Sequence, residues 1–225
     1  MLLAIDTSTI QTGLACYDEH GLLGECTWQS GRDHSAQLLP QLSLLLRHLG
    51  RTRDDISAVA VALGPGSWSG LRVGMSTAKG FALARSVPVI GVGTLDALVY
   101  QHERPGLTTI PLIRLGRERY ASGTPPPHGG RRRSIQPRNV TLVEIAAETT
   151  GRALFCGDVD LDVQAALRER LGARALFPTP AASARRPGYL AEVAWQRLQA
   201  GDTDNPATLE PIYLGQPVRT KPLAS

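Results

Sequence analysis

Three stretches carry residue types that can do chemistry. The first is Gly64-Pro65-Gly66-Ser67-Trp68-Ser69-Gly70-Leu71-Arg72-Val73-Gly74, between an apolar run and a helix-like run. Glycines at such a junction let backbone N–H groups point at an anion, and a helix N-terminus favours negative charge. The spacing matches neither standard phosphate loop: the third glycine falls one position late for GxGxxG, and no Gly-Lys-Ser/Thr follows. The same glycines suit a tight strand-to-helix turn that lets the helix pack closely. The second stretch is Asp6-Thr7-Ser8-Thr9. A carboxylate with hydroxyls at a strand end can hold a magnesium-bound phosphate, or close a polar Asx/ST-type turn. No glycine follows until Gly13, so close phosphate approach is not evident. The third is Cys156-Gly157-Asp158, which can mirror the first loop across a cleft or be a strand-exit turn. Asp6, Thr7, Gly64, Gly66, Gly157 and Asp158 are thus the candidate phosphate-loop residues.

Other chemistries find no pattern. His20, His34, His48, His102 and His128 make no HxxxH or HExxH, and His34 reads as chemistry at a helix start. There is no GxSxG elbow. Cys16, Cys26 and Cys156 are widely spaced without CxxC, which argues against a disulfide framework or zinc knuckle and fits a reducing cytoplasm.

The positioning elements follow from periodicity. Leu2–Ile5, Thr12–Tyr17 and Leu22–Trp28 read as three strands with short links, hence an antiparallel meander, with Gly21 in the second link. Leu38, Leu39, Leu42, Leu45, Leu46 and Leu49 recur at helical spacing, with Asp33 or Ser35 as N-cap and Gly50 beyond the end. Pro40 is tolerable only in the first turn; further in it kinks the helix. Ile56–Leu63 reads as a buried parallel strand, Leu71–Arg85 as a helix, Pro88–Val92 as a strand, and Thr94 as the cap of a helix reaching Tyr100. This β-β-β-α-β-α-β-α order predicts an α/β fold with a mixed sheet covered by helices, the pattern of a ribonuclease-H-like half-domain. Residues 104–140 read as irregular, with Pro125–Arg133 an exposed loop. Leu142–Thr150 reads as helix, Ala153–Cys156 as strand, Leu161–Leu171 as helix, Ala175–Phe177 as extended, Tyr189–Leu198 as an amphipathic helix, and Leu209–Leu214 as an extended tail. In the Leu71–Arg85 helix the small residues Gly74, Ala78 and Ala82 share a face with Met75 and Phe81 beside them. That stripe, like the leucine stripe, serves either as core or as a partner groove.

The chain has 225 residues, 42% hydrophobic and 20% charged, enough for a sizeable core and unlike a disordered chain. Its net charge is +4, and Lys79 and Lys221 are the only lysines among 24 basic residues. Residues 1–100 carry seven basic and eight acidic side chains, the remainder 17 and 12. That asymmetry suits either a polyanion-facing half or an arginine-biased solvated surface. The apolar run at the N-terminus stops at Asp6 without a basic flank, so no signal peptide is expected, and no run approaches the roughly 20 apolar residues of a membrane helix.

Several pieces, in order, resemble the TsaB (YeaZ) family of tRNA threonylcarbamoyladenosine biosynthesis subunits. They are Leu3–Ser8, His34-Ser35 with Leu38-Leu39-Pro40, the Gly64–Gly74 block continuing through Ser76-Thr77-Ala78-Lys79-Gly80, Pro88–Val92, Gly157-Asp158 and Glu210–Leu214. The resemblance implies an actin-like (ASKHA) two-lobed fold. One lobe would span 1–103, completed by helix 189–200 and the tail, and the smaller would span 104–188. It implies a noncatalytic cytoplasmic subunit that pairs with a catalytic TsaD-like paralogue and works with a TsaE-like ATPase. The complex would transfer a threonylcarbamoyl group to N6 of adenosine 37 of tRNA. Alone, the chain would be a homodimer. No metal and no cofactor of its own are expected; ATP or ADP would belong at a shared interface, and the phosphate-type loops would be vestigial. The family's first two helices form its dimer and partner surface, so Leu42, Leu45, Leu46, Gly74, Met75 and Ala78 are the expected seam. On that expectation a bulky charge at Ala78 abolishes pairing and leaves the monomer folded. The sequence departs from the family at Leu112–Tyr120, where an Asp-Ala-Arg motif is missing, and at Gly215, which stands for an arginine. Two rival readings are an autonomous ATP-dependent phosphotransferase using Asp6, Thr7 and Asp158, and an RNA-binding module using the Arg114–Arg133 region.

Overall fold

The computed structural model describes residues 1–31, 33–124 and 134–214. Leu2–Asp6 (β1), Gln11–Asp18 (β2) and Gly21–Gln29 (β3) form the antiparallel meander expected from their patterning. After the helix His34–His48 (α1), strand Ala58–Gly64 (β4) pairs parallel with β1. After the helix Trp68–Arg85 (α2), Val89–Gly93 (β5) pairs parallel with β4. The sheet order is β3-β2-β1-β4-β5. Helix Thr94–His102 (α3) leads to a second sheet built from Thr108–Gly116 (β6), Arg119–Ser122 (β7), Arg138–Val140 (β8), Ala153–Gly157 (β9) and Ala175–Leu176 (β10), in the order β10-β9-β6-β7-β8. Leu142–Glu148 (α4) and Leu161–Leu171 (α5) lie between its strands, and Pro187–Gln199 (α6) follows.

The first sheet is covered on both faces, and period-two alternation decides which residue goes where. Leu3, Ile5, Leu14, Cys16, Val59 and Val61 meet the leucines of α1 and the Met75–Ala78–Ala82 face of α2. Leu2, Ala4, Ala15, Ala58, Ala60 and Ala62 meet Leu190, Ala191 and Ala194 of α6. Alanine on both sides lets α6 lie close to the sheet. In the second sheet, Leu112, Phe155 and Tyr120 pack with α4 and α5, while Ile113, Ala121 and Cys156 pack against Leu95, Leu98 and Val99 of α3.

Several local expectations need correction. Asp33 caps α1 without a side-chain hydrogen bond, and Pro40 lies inside the helix, beyond its first turn. Gly93, not Thr94, is the N-cap of α3; Thr94 is its first residue and its buried hydroxyl has no partner. The tail at Leu209–Leu214, read as extended, joins neither sheet as a strand; its Ile212 N–H donates to the Leu63 carbonyl at 2.7 Å. The largest correction concerns 104–140, read as irregular, which holds β6, β7 and β8. Pro111 disguises β6. It pairs with Cys156 of β9 on one side, while β7 reaches only residues 113–116 on the other, so the missing N–H breaks no ladder. The Pro125–Arg133 loop lies outside the described residues.

One buried acid couples this region to pH. Asp96 of α3 accepts a hydrogen bond from the Ile135 N–H at 2.7 Å, and burial pushes its carboxyl up from 3.8 to about 6. At pH near 4 and below, folded and unfolded chains both keep the proton; between about 4 and 6 only the folded chain does, so this group's contribution falls as pH rises. Asp96→Asn should therefore be more stable than wild type at neutral pH by up to about 3 kcal/mol. The difference should vanish near pH 4. Urea unfolding at both pH values checks this; an equal or larger gain at the acidic pH contradicts it.

Candidate functional site

The glycine-rich block is filled by its own neighbours. Ser67 caps α2 by accepting from the Gly70 N–H at 3.3 Å, and the Ser67 N–H donates to the Ser8 carbonyl at 2.7 Å. The Leu71 N–H donates to the Ser67 carbonyl at 2.9 Å. The Ser67, Gly70 and Leu71 N–H groups of the block are thus already engaged. A Cβ on Gly66 would overlap the Ser8 carbonyl oxygen, one on Gly70 the Thr7 carbonyl oxygen, and one on Gly74 the Thr7 hydroxyl. The Thr7 hydroxyl donates to the Gly70 carbonyl at 2.7 Å. A Cβ on Gly64 would stand 2.8 Å from the Ile212 carbonyl oxygen of the tail. These glycines let α2 and its loop press onto the end of β1. His34 joins the same seam, its Nδ1 2.7 Å from the Thr12 hydroxyl and 3.0 Å from that of Ser30; burial lowers its pKa.

Asp6 is equally engaged. Its Oδ1 accepts from the Ser8 N–H and hydroxyl at 2.9 and 2.6 Å, an Asx turn. Its Oδ2 accepts from Arg185 Nε and Nη2 at 3.3 and 2.8 Å. Burial raises the Asp6 pKa, but Arg185 and the Ser8 hydrogen bonds outweigh it, leaving the carboxyl below its usual value. Asp158 accepts from the Arg114 N–H at 2.8 Å, its own N–H donates to the Leu112 carbonyl at 2.7 Å, and burial raises its pKa. Gly157, at φ +98°, lies against the Leu112 carbonyl, so this corner is a strand-exit turn. The donor set does not fit a metal–nucleotide: one carboxylate is ion-paired and the loop is packed against backbone. Among the described residues no group of three or more His, Cys, Asp or Glu converges as a metal site.

The six seam residues are placed differently from the expectation. Leu42, Leu45, Leu46, Met75 and Ala78 lie in the core beneath α1 and α2, and Gly74 is buried against Thr7. Apolar periodicity marks the sheet-facing side, not the outer one. A charge at Ala78, which is wholly buried, would unfold the monomer rather than spare it. The outward side of the same pair forms a groove of about 470 Å³ lined by Ser35, Leu38, Leu39, Trp68, Ser69, Arg72, Val73, Ser76 and Thr77. Trp68 is 60% exposed and Leu39 49%. The Arg72 guanidinium stacks 4.4 Å from the Trp68 ring centre, and Tyr213 of the tail lies 6.4 Å from it. A tryptophan kept in water beside an arginine is the composition of a protein-contact centre. Its identity was visible in the sequence, but its exposure was not.

The arginines of the second sheet are largely paired. Arg114 meets Asp160 at 2.5 Å, Arg138 meets Glu148 at 2.5 Å, and Arg119 lies 3.9 Å from Glu144. No helix among the described residues is long and apolar enough to cross a membrane.

Two five-stranded mixed sheets flanked by helices, with α3 packed against strands of both, define the two-lobed actin-like fold class. Comparisons agree. The chain superposes on component A of (R)-2-hydroxyglutaryl-CoA dehydratase from Acidaminococcus fermentans with a TM-score of 0.52 over 88% of this chain and 97% of that one, at 10% identity. It superposes on YeaZ from Pseudomonas aeruginosa with a TM-score of 0.75 over 95% and 99%, at 22% identity. Residues 27–117 match the family described as TsaD, tRNA N6-adenosine threonylcarbamoyltransferase. An uncharacterized Mycobacterium tuberculosis protein, Rv3421c, is 33% identical over 99% of this chain and 95% of its own length. The tRNA threonylcarbamoyladenosine biosynthesis protein TsaB of Bacillus subtilis is 29% identical over 95% and 93%. The chain belongs to the TsaB/YeaZ family.

Proposed function

We propose that this chain is a noncatalytic partner subunit in tRNA threonylcarbamoyladenosine biosynthesis, and that its α1–α2 groove docks a catalytic TsaD-like paralogue. The carrying observation is the exposed Trp68–Arg72 stack beside Leu39 on a helix pair whose inner face is fully used by the core. The engaged Asp6 carboxylate and the packed glycine block support a noncatalytic role. A TsaE-like ATPase completes the assembly in the cytoplasm, tRNA is the substrate of the complex, and the free chain pairs with itself through the same groove. The chain carries no cofactor of its own; ATP or ADP belongs at an interface shared with its partner. Residues 1–103 with helix 189–200 act as one lobe and 104–188 as the other. A partner that binds one conformation of an enzyme preferentially raises that conformation's population, which is how a subunit without chemistry can be required. The pairing of Arg114 and Arg119 with acids weakens the RNA-binding alternative.

The test is reconstituted tRNA modification with each component left out in turn. Omitting this chain should abolish adenosine modification, and adding it without the paralogue should give none. Modification by this chain alone overturns the reading.

A further inference from the structure

Arg185 is a cation buried in the fold, 8% exposed, on the segment leading into α6. Its backbone is fixed before its side chain acts. Gln101 Nε2 donates to the Ala182 and Ala184 carbonyls at 3.2 and 2.9 Å, the Arg186 N–H donates to Gln101 Oε1 at 3.3 Å, and the Thr27 hydroxyl donates to the Arg185 carbonyl at 3.0 Å. From this anchor the guanidinium forks onto Asp6 and gives a third bond to the Ser8 hydroxyl at 3.1 Å. Nη1 is buried with no partner, and the residue borders a cavity of about 10 Å³, which has room for a single water. Leu98 lines that cavity with Arg185 and Asp6, and its Cδ1 lies 3.1 Å from the Cβ position of Gly157, so the end of β9 borders the same place; the Arg185 charge lowers the pKa of Cys156 and Asp158 there against the larger rise from burial.

Asp6 and Asp158 stand at corresponding places, one at the end of β1 and one just past β9, each strand parallel to a neighbour in its own sheet. Two carboxylates arranged this way call for a positive charge between the sheets, since a buried unpaired carboxylate is costly. We propose that Arg185 is a built-in counter-cation that takes the place of a metal–nucleotide between the two sheets, so that their relative position is held without any bound ligand. The guanidinium supplies fixed charge and a directional fork, neither of which depends on nucleotide concentration. The inference concerns the cleft and stands whichever partner the outer groove takes.

Hydrogen exchange on the full chain tests it, comparing wild type with the double variant Asp6→Asn, Arg185→Met, which leaves no unpaired charge at position 6 and deprives Asp158 of the shared cation. Exchange in segments 6–12 and 156–160 should rise about tenfold or more, with cooperative melting retained. Millimolar Mg–ADP should leave both segments of the wild type unchanged, and this arm holds even where the double variant fails to fold. Unaltered exchange in a folded double variant, or protection of both wild-type segments by Mg–ADP, overturns the proposal.

Discussion

Replacing Trp68 by alanine and Arg72 by glutamate together should weaken binding to a TsaD-like paralogue by about 100-fold or more, because a central tryptophan alone is typically worth about 2 kcal/mol or more and a reversed charge adds repulsion. The monomer should barely notice. Trp68 is 60% exposed, Arg72 makes no ion pair among the described residues, and the lost ring contacts are those with Arg72 and Tyr213. Far-UV dichroism and the melting curve should match wild type while titration calorimetry loses the binding heat. Leu83→Ala is the control. Leu83 lies near the other end of α2, is 66% exposed and does not line the groove. Equal loss with Leu83→Ala would mean that general surface hydrophobicity, not the groove, drives association.

Gly70→Ala should do the opposite: cripple folding without touching the groove's chemistry. In an exposed helix interior, glycine to alanine gains about 1 kcal/mol. Here the new methyl would overlap the Thr7 carbonyl oxygen, a backbone atom that cannot swing aside as a flexible side-chain end can. Relief requires α2 to lift from β1, opening the Thr7–Gly70 hydrogen bond and the core beneath it. Overpacking costs about 1–3 kcal/mol, so with the lost bond the melting temperature should fall by about 10 °C for a chain of this size. Gly80, in the same helix, has open space around its Cβ position. Gly80→Ala should leave the melting temperature level or raise it. If both variants behave alike, close approach is not the reason for the glycine at position 70.

That contrast shows what a sequence can and cannot disclose. The succession of strands along the first hundred residues was legible because each alternates or runs apolar and is bounded by a turn residue such as Gly21 or Gly64. The glycines of the 64–74 block were legible as special, yet the two readings of them differ only in what lies opposite. Position decides: Ser8 and Thr7 carbonyls lie opposite Gly66 and Gly70. Strand β6 was hidden by Pro111 and by Arg114, whose charge is met by Asp160 from the start of α5. The outer groove was hidden for a more general reason. Leu42, Leu45 and Leu46 are conspicuous because they are core, and pattern analysis rewards the buried face. Leu39 reads as one more leucine of that stripe and Trp68 precedes the Leu71–Arg85 pattern, and only the packed fold shows both left in water. Arg185, one of two adjacent arginines, gave no sign of being buried while Arg186, beside it, stays at the surface bound to Glu25. Its partner lies 179 residues away, beyond any local rule.

The most direct measurement is paired calorimetry on the isolated, folded chain, titrated in one cell with the TsaD-like paralogue and in another with Mg–ATP. Saturable heat with the protein, abolished by the Trp68–Arg72 double variant, together with none from the nucleotide, is what this structure predicts. Tight nucleotide uptake by the lone chain, with indifference to the paralogue, would contradict it.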